Sequence, residues 1–366
     1  MNNELSPLID RLDLADLPQL VDCVRRCYGD SYPNTIMYNI RQLEEIIEDK
    51  LMHSVIAKAP NSQIIGHCAL TFDGTHNVSS EAGKMMVDPN FRGTILPKSW
   101  QKNVLRLPKN CLCQGFGPSA LPITLISQHE MIAFNAKETG LFIGDVPPTI
   151  SMKGLENHPE TRMSLLAFYL SLNDRPHTIY MPPLHAEHAK LLAIDLNLPR
   201  NIVSTNVAAS GKTTFHAVIN SSIQTANIAI DRIGSDLVAA VMHELREIEA
   251  LNLVSVYLDI PIEQETAAHA YLELESIGFF WGSWMPNFST EGNALRLQKI
   301  YQSVDVETIV CARPQGYDIK KFVISEWREF QKLTKSTESN STVAASPWHA
   351  GIQTHFEALP MSLQRQ

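Results

Sequence analysis

The stretch SEAGKMMVDPNFRGTILP, residues 80–97, decides how the rest of the chain is read. It opens as an apolar strand, turns at Asp88-Pro89, and runs through Arg92-Gly93 towards a helix start. A strand that feeds a helix N-terminus through a glycine-containing loop suits an anionic ligand, because free backbone N–H groups converge there.

Upstream, residues 7–12 read as a short strand. A helix capped at Asp13 or Asp16 runs to Tyr28, with Leu17, Leu20, Val21 and Val24 on one face. Tyr28, Tyr32 and Tyr38 lie in a turn-rich segment, and a second helix is expected over 40–50. Three strands follow at 54–59, 63–72 and 81–87, with Asn61-Ser62 and Asp73-Gly74 between them. Downstream, a helix is expected over 98–107, a strand over 111–116, a helix over 128–137 and a strand over 140–146. After Pro147-Pro148 a second series begins with strand 163–172 and helix 185–198. Strands at 213–222 and 225–231, an amphipathic helix over 235–252, a strand over 253–260, a helix over 263–277 and strands over 279–285 and 293–301 complete it. A last helix is expected over 318–333, and the Ser- and Thr-rich tail after it as disordered.

The chain has 366 residues, enough for two domains, and a net charge of −9. That balance argues against general nucleic-acid affinity, which needs basic clusters. No apolar run reaches the ~18–20 residues of a membrane span, and the N-terminus lacks the basic start and apolar core of a signal peptide. A cytoplasmic protein that binds neither nucleic acid nor membrane is expected, with oligomerisation left open. The six cysteines form no paired knuckles of a structural zinc site and read as buried free thiols.

The element order, with AGKMMVDPNFRG at its centre, resembles the GNAT superfamily of N-acyltransferases. The later segment AAHAYLELESIGFFWG is similar to the end of the same fold. The resemblance covers roughly residues 8–310 and implies a mixed α/β chain of two tandem GNAT-like units. Unit one is expected over 1–150, a degenerate unit two over 151–315, and a helix and tail over 316–366. It further implies acetyl-CoA or another acyl-CoA as co-substrate, no metal, and an amine acceptor that is a small molecule or a protein. Met85, Met86 and Val87 would face the pantetheine. Arg92, Gly93 and Thr94 would face the pyrophosphate, and Glu81 would be the base. The family pattern asks for glycine at 95 and glycine or alanine at 97. Ile95 and Pro97 stand there instead. In unit two the counterpart loop, DRIGSD at 231–236, sets Asp231 and Asp236 where phosphates would sit.

The usual acid is a tyrosine that would fall near Met131 in unit one, yet no tyrosine lies between Tyr38 and Tyr169. Tyr28, Tyr32 or Tyr38 would have to supply it. His67 reads as a core histidine. His185 and His188, three apart on a helix, lack a third ligand at useful spacing, and His243-Glu244 is followed by Glu247, which breaks the zinc motif. SGKTT at 210–214 fails as a phosphate loop because a strand follows it. Two readings stay open: an acyltransferase, or an inactive GNAT-like scaffold or acyl-CoA sensor that binds a protein partner.

Overall fold

The computed structural model describes residues 7–32, 34–72, 79–92, 115–117, 119–120, 125–148, 161–289 and 292–341. The expected helix at 98–107, the residues Gly93 to Pro97, Cys111, Cys113 and the tail after 341 lie outside them.

The first series is β1 (Leu8–Arg11), α1 (Leu17–Tyr28), α2 (Ile40–Glu48), β2 (Met52–Lys58), β3 (Ile64–Thr71), β4 (Ser79–Val87), β5 (Gly115–Phe116), β6 (Ser119–Ala120), α3 (Leu125–Ala133), β7 (Lys137–Val146) and β8 (Met163–Ser171). The second is β9 (His177–Tyr180), α4 (Pro183–Asp195), β10 (Arg200–Val203), β11 (Thr214–Asn220), β12 (Thr225–Arg232), α5 (Leu237–Glu249), β13 (Ser255–Pro261), α6 (Ala267–Ser276), β14 (Phe280–Ser289) and β15 (Gly292–Ile300). Helix α7 (Pro314–Ser341) closes the described chain.

Thirteen of the described strands form one sheet, in the order β1-β2-β3-β4-β5-β8-β7-β14-β15-β13-β12-β11, with β6 on β8. The order repeats. In the first series β4 runs parallel to β5, and β8 inserts antiparallel between β5 and β7. In the second, β12 runs parallel to β13, and β15 inserts antiparallel between β13 and β14. Each series therefore ends on a strand that folds back into the middle of its own ladder, which makes two units of the same strand order in one mixed α/β chain. Strand 163–171, assigned in the sequence to the second unit, finds both of its partners in the first. The tandem 1–150 and 151–315 division thus cuts through a ladder, and we group β8 with unit one.

The units join edge to edge where β7 meets β14, at Gly140 opposite Ser283. Gln298 of β15 reaches across the same seam. Its Oε1 accepts from Ile143 N at 3.0 Å and its Nε2 donates to Leu141 O at 2.9 Å, so a side-chain amide extends the backbone ladder. Helix α7 packs on both β7 and β14. At its start Arg313 grips the fully buried Glu138 carboxylate with Nε bonds of 3.0 Å. Gln128 of α3 donates to Val310 O and accepts from Ala312 N, both at 2.8 Å. Helices α1 and α2 close a separate core on the outer part of unit one, around Leu20, Val24, Met37, Leu43, Ile56 and Met86. The apolar faces of α1 and α2 bury in this core, as an amphipathic period demands.

Candidate functional site

The site expected from the sequence is the edge of β4. Its ladder with β5 is confined to Ser79-Gly115 and Ser80-Phe116. Beyond Ser80, β4 has ladder pairs with β3 alone among the described residues, from Thr71-Glu81 to Gly66-Val87. Among the described residues, the other edge of Glu81–Val87 therefore has no ladder partner.

A bulge shapes this edge. His67 faces Met86 and Ala69 faces Gly83, so Lys84 and Met85 together oppose Cys68. Lys84 takes a left-handed φ of 52° to make room. The displaced Lys84 carbonyl is bonded by His67 Nδ1 at 2.8 Å, and His67 Nε2 meets Ser54 Oγ at 3.0 Å. Burial pushes the His67 pKa down to about 4, so the ring is neutral. His67 is thus the satisfied core histidine its apolar strand predicts, and it braces the bulge. Met86 points into the α1–α2 core, while Met85 and Val87 pack against the main core.

The turn after β4 is fixed from α1. Buried Asp88 accepts from Arg26 Nε at 2.5 Å and caps the following turn through Asn90 N at 3.1 Å. Arg92, half-buried, lies near the end of α1, where its charge favours the thiolate of Cys27 and the phenolate of Tyr28. Gly93 and Thr94, the other two expected phosphate contacts, lie outside the described residues.

Glu81 is exposed at the start of this edge, and its carboxylate folds back over Gly83. Of the three early tyrosines, Tyr32 is the one whose phenol feels the Glu81 charge. Burial raises its pKa, Tyr28 and Glu81 add to that, and the proton stays on. Tyr38 is structural: its hydroxyl donates to Gly29 O at 2.9 Å and accepts from Tyr32 N at 3.0 Å.

Two groups were not singled out in the sequence. Glu130 of α3, next to the Met131 position where the family places its acid, has its carboxyl raised to about 7 by burial. Its charge also acts on Cys68 of β3. Met131 itself is core. Asp145 of β7 is the second. Burial pushes its carboxyl up, Tyr257 OH donates to it at 2.7 Å, and the Glu81 charge raises it further. Beyond Tyr257, Arg296 makes a bidentate pair with Asp259 at 2.7 and 2.8 Å. Its guanidinium lies 5.1–5.6 Å from the rings of Phe288, Phe142 and Tyr257. This polar face spans both units, and its residues come from strands more than a hundred positions apart.

The equivalent loop of unit two is already occupied. Ile233 N donates to Gln264 Oε1, Gly234 N to Thr213 Oγ1 and Ser235 N to Gly211 O, at 3.0–3.1 Å. Asp236 Oδ1 accepts from Thr213 N at 2.7 Å, which holds its carboxyl below the usual range. The turn Gly211–Thr213 thus fills the seat where an anion would sit, and the strand β11 that follows it confirms that SGKTT is no phosphate loop.

No protein-family model matches the sequence, and no curated protein matches it. Solved structures do. Spermidine N-acetyltransferase from Vibrio cholerae, in complex with CoA and spermine, is 12% identical with a TM-score of 0.34 over 45% of this chain and 95% of its own. The ribosomal-protein-S5-alanine acetyltransferase from Vibrio fischeri is 11% identical, with a TM-score of 0.35 over 45% of this chain and 93% of its own. RimL, a ribosomal L7/L12 α-N-protein acetyltransferase, is 10% identical, with a TM-score of 0.35 over 47% of this chain and 96% of its own. The chain is similar to GNAT acetyltransferases. Each match covers about half of this chain. No helix among the described residues is long and apolar enough to cross a membrane.

Proposed function

We propose that the chain is an acyl-CoA-dependent N-acyltransferase in which unit one does the chemistry. The observation that carries this reading is the β4 edge from Glu81 to Val87, which has no ladder partner among the described residues, with its bulge at Lys84 and Met85. Backbone donors on such an edge can hold a pantetheine arm and polarise a thioester carbonyl. Acetyl-CoA is the acyl donor we assign, with Met85, Met86 and Val87 along the arm and Arg92, Gly93 and Thr94 at the pyrophosphate.

In this scheme the acceptor enters as the neutral amine, and Glu81 takes one proton from its nitrogen as the C–N bond forms, directly or through a water. The amine nitrogen attacks the thioester carbon. The tetrahedral oxyanion is held by β4 N–H groups and collapses, the C–S bond breaks, and the CoA thiolate takes a proton from Glu130. The raised pKa of Glu130, about 7, keeps that proton available near neutral pH. The acceptor is an amine, either a small molecule or a protein N-terminus or lysine. The exposed carboxylate of Glu81 gives its approach a negative field. Unit two, whose loop N–H groups are bonded internally, is a structural partner that completes the acceptor face.

Calorimetric titration with acetyl-CoA tests the reading. One molecule bound per chain is expected. Glu81→Gln should leave that affinity unchanged and lower turnover on amine acceptors at least tenfold. No heat and no thermal shift at millimolar ligand would leave the scaffold reading in its place.

A further inference from the structure

The sequence offers His185 and His188 on one helix and no third ligand nearby, hence no metal was expected. The fold supplies that ligand from distant positions. Helix α4 brings His185, α6 brings Glu275 and α7 brings Glu326, and one nitrogen and two carboxylate oxygens lie within 4.8 Å of one another. We propose that His185, Glu275 and Glu326 bind one divalent transition-metal ion of the zinc class, tying α4, α6 and α7 together.

The second observation is the imidazole itself. His185 is 1% exposed, and its Nε2 has no hydrogen-bond partner. That nitrogen lies 3.3 Å from Glu326 Oε2, without the alignment of a hydrogen bond. Two ligands bound at about 2.0–2.1 Å to one tetrahedral ion lie about 3.4 Å apart, so this pair already has the spacing of a shared ion. Glu275 closes the set by a side-chain adjustment.

The protonation states agree with this geometry. Burial lowers the His185 pKa to about 4, which leaves a lone pair rather than a proton on the ring. An imidazolium–carboxylate pair is therefore the wrong description. Burial and the Glu275 charge raise Glu326 to about 7, and Glu329 adds to it. Beside the neutral imidazole these two carboxyls could both ligate a bound M²⁺, whose charge would favour their ionised forms. Tyr271 OH donates to Glu326 Oε2 at 3.3 Å, the kind of outer contact that orients a ligating carboxylate. Rings surround the cluster: His185 meets Tyr271 at 4.8 Å and Trp281 at 5.5 Å between centroids. A nitrogen ligand and a low oxygen count favour zinc-class ions over calcium or magnesium.

The test uses the full chain, dialysed against a chelator and titrated with Zn²⁺, Co²⁺ or Ca²⁺ alone. One equivalent of Zn²⁺ should bind and raise the melting temperature, Co²⁺ should give visible bands of a low-coordinate N/O site, and Ca²⁺ should bind at least a hundredfold more weakly. Glu275→Gln, at a partly exposed position, and Glu326→Gln should each weaken Zn²⁺ at least tenfold, with His188→Gln near wild type. Wild-type Zn²⁺ affinity in both Glu variants, equal Ca²⁺ affinity, or no Zn²⁺ binding at millimolar concentration would each overturn the site. If Glu326→Gln fails to fold, Glu275→Gln and the wild-type Co²⁺ spectrum decide it.

Discussion

Gly140 of β7 lies directly opposite Ser283 of β14, and a Cβ built on Gly140 would come within 2.3 Å of the Ser283 Cα and 2.2 Å of the Gly282 carbonyl oxygen. The neighbouring Thr139 and Ser283 hydroxyls share a buried hydrogen bond of 3.0 Å. Both obstacles at Gly140 are backbone, so neither can swing aside. The seam between the two units depends on a missing side chain.

Gly140→Ala should therefore cost about 3 kcal/mol or more, at the upper end of overpacking penalties. Urea unfolding checks this. A variant as stable as wild type would mean that the strands can part locally without loss.

The Arg313–Glu138 pair is the second fixture of the seam. Arg313→Ala leaves a fully buried carboxylate without its cation, and a loss of about 3–5 kcal/mol is expected. The double variant Arg313→Met with Glu138→Leu should recover most of it, because the penalty comes from the orphaned charge. Equal stability of the single and double variants in denaturant would contradict this account.

His67 gives the pH signature of stability. Its folded pKa is near 4, against an ordinary value near 6.5, so between those values the unfolded chain binds the extra proton. Its contribution is complete above about pH 6.5 and is lost as pH falls towards 4. His67→Phe should flatten this acid limb. It should also cost about 1–3 kcal/mol at pH 7, because the Lys84 carbonyl and Ser54 hydroxyl lose their partner. Unfolding curves across pH 4–8 read both effects.

Glu130 gives the pH signature of turnover. As the acid with a pKa of about 7, it should make kcat fall as pH rises through that value. Glu130→Gln should remove the alkaline limb and lower kcat by about 10²-fold. Stability moves in the same direction. The native carboxyl holds its proton longer than the unfolded one, so stability falls as pH rises from about 4.5 to 7, and the variant is relieved of that loss. An alkaline limb that persists in Glu130→Gln would take this residue out of the mechanism.

Much of this was legible in the chain. The strands at 54–59, 63–72 and 81–87, the Asp88-Pro89 turn, and the amphipathic helix from Leu237 all follow from local period and turn chemistry. The fold-back of β8 was not, because a strand's own sequence does not name its ladder partners, so strand 163–172 was read as the start of the second unit. The bulge at Lys84 was hidden for a similar reason: Gly83-Lys84 reads like any strand interior, and only the pairing with His67 and Ala69 exposes the extra residue. For the loop 231–236, charge alone spoke against phosphate, whereas the structure adds a steric reason in the Gly211–Thr213 turn. Glu130 could have been found by testing the neighbours of Met131. The meeting of His185, Glu275 and Glu326 could not, since no local spacing encodes contacts between three helices that far apart along the chain.

The shared seam also means that each unit hides one raw flank of its sheet in the other. A chain cut between β8 and β9 would bare the β7 and β14 edges, with their N–H and C=O groups, as two templates for strand addition. Neither half is then a portable module. Either one made alone should dimerise through its bared strand or precipitate, and co-expression of the halves should rescue both.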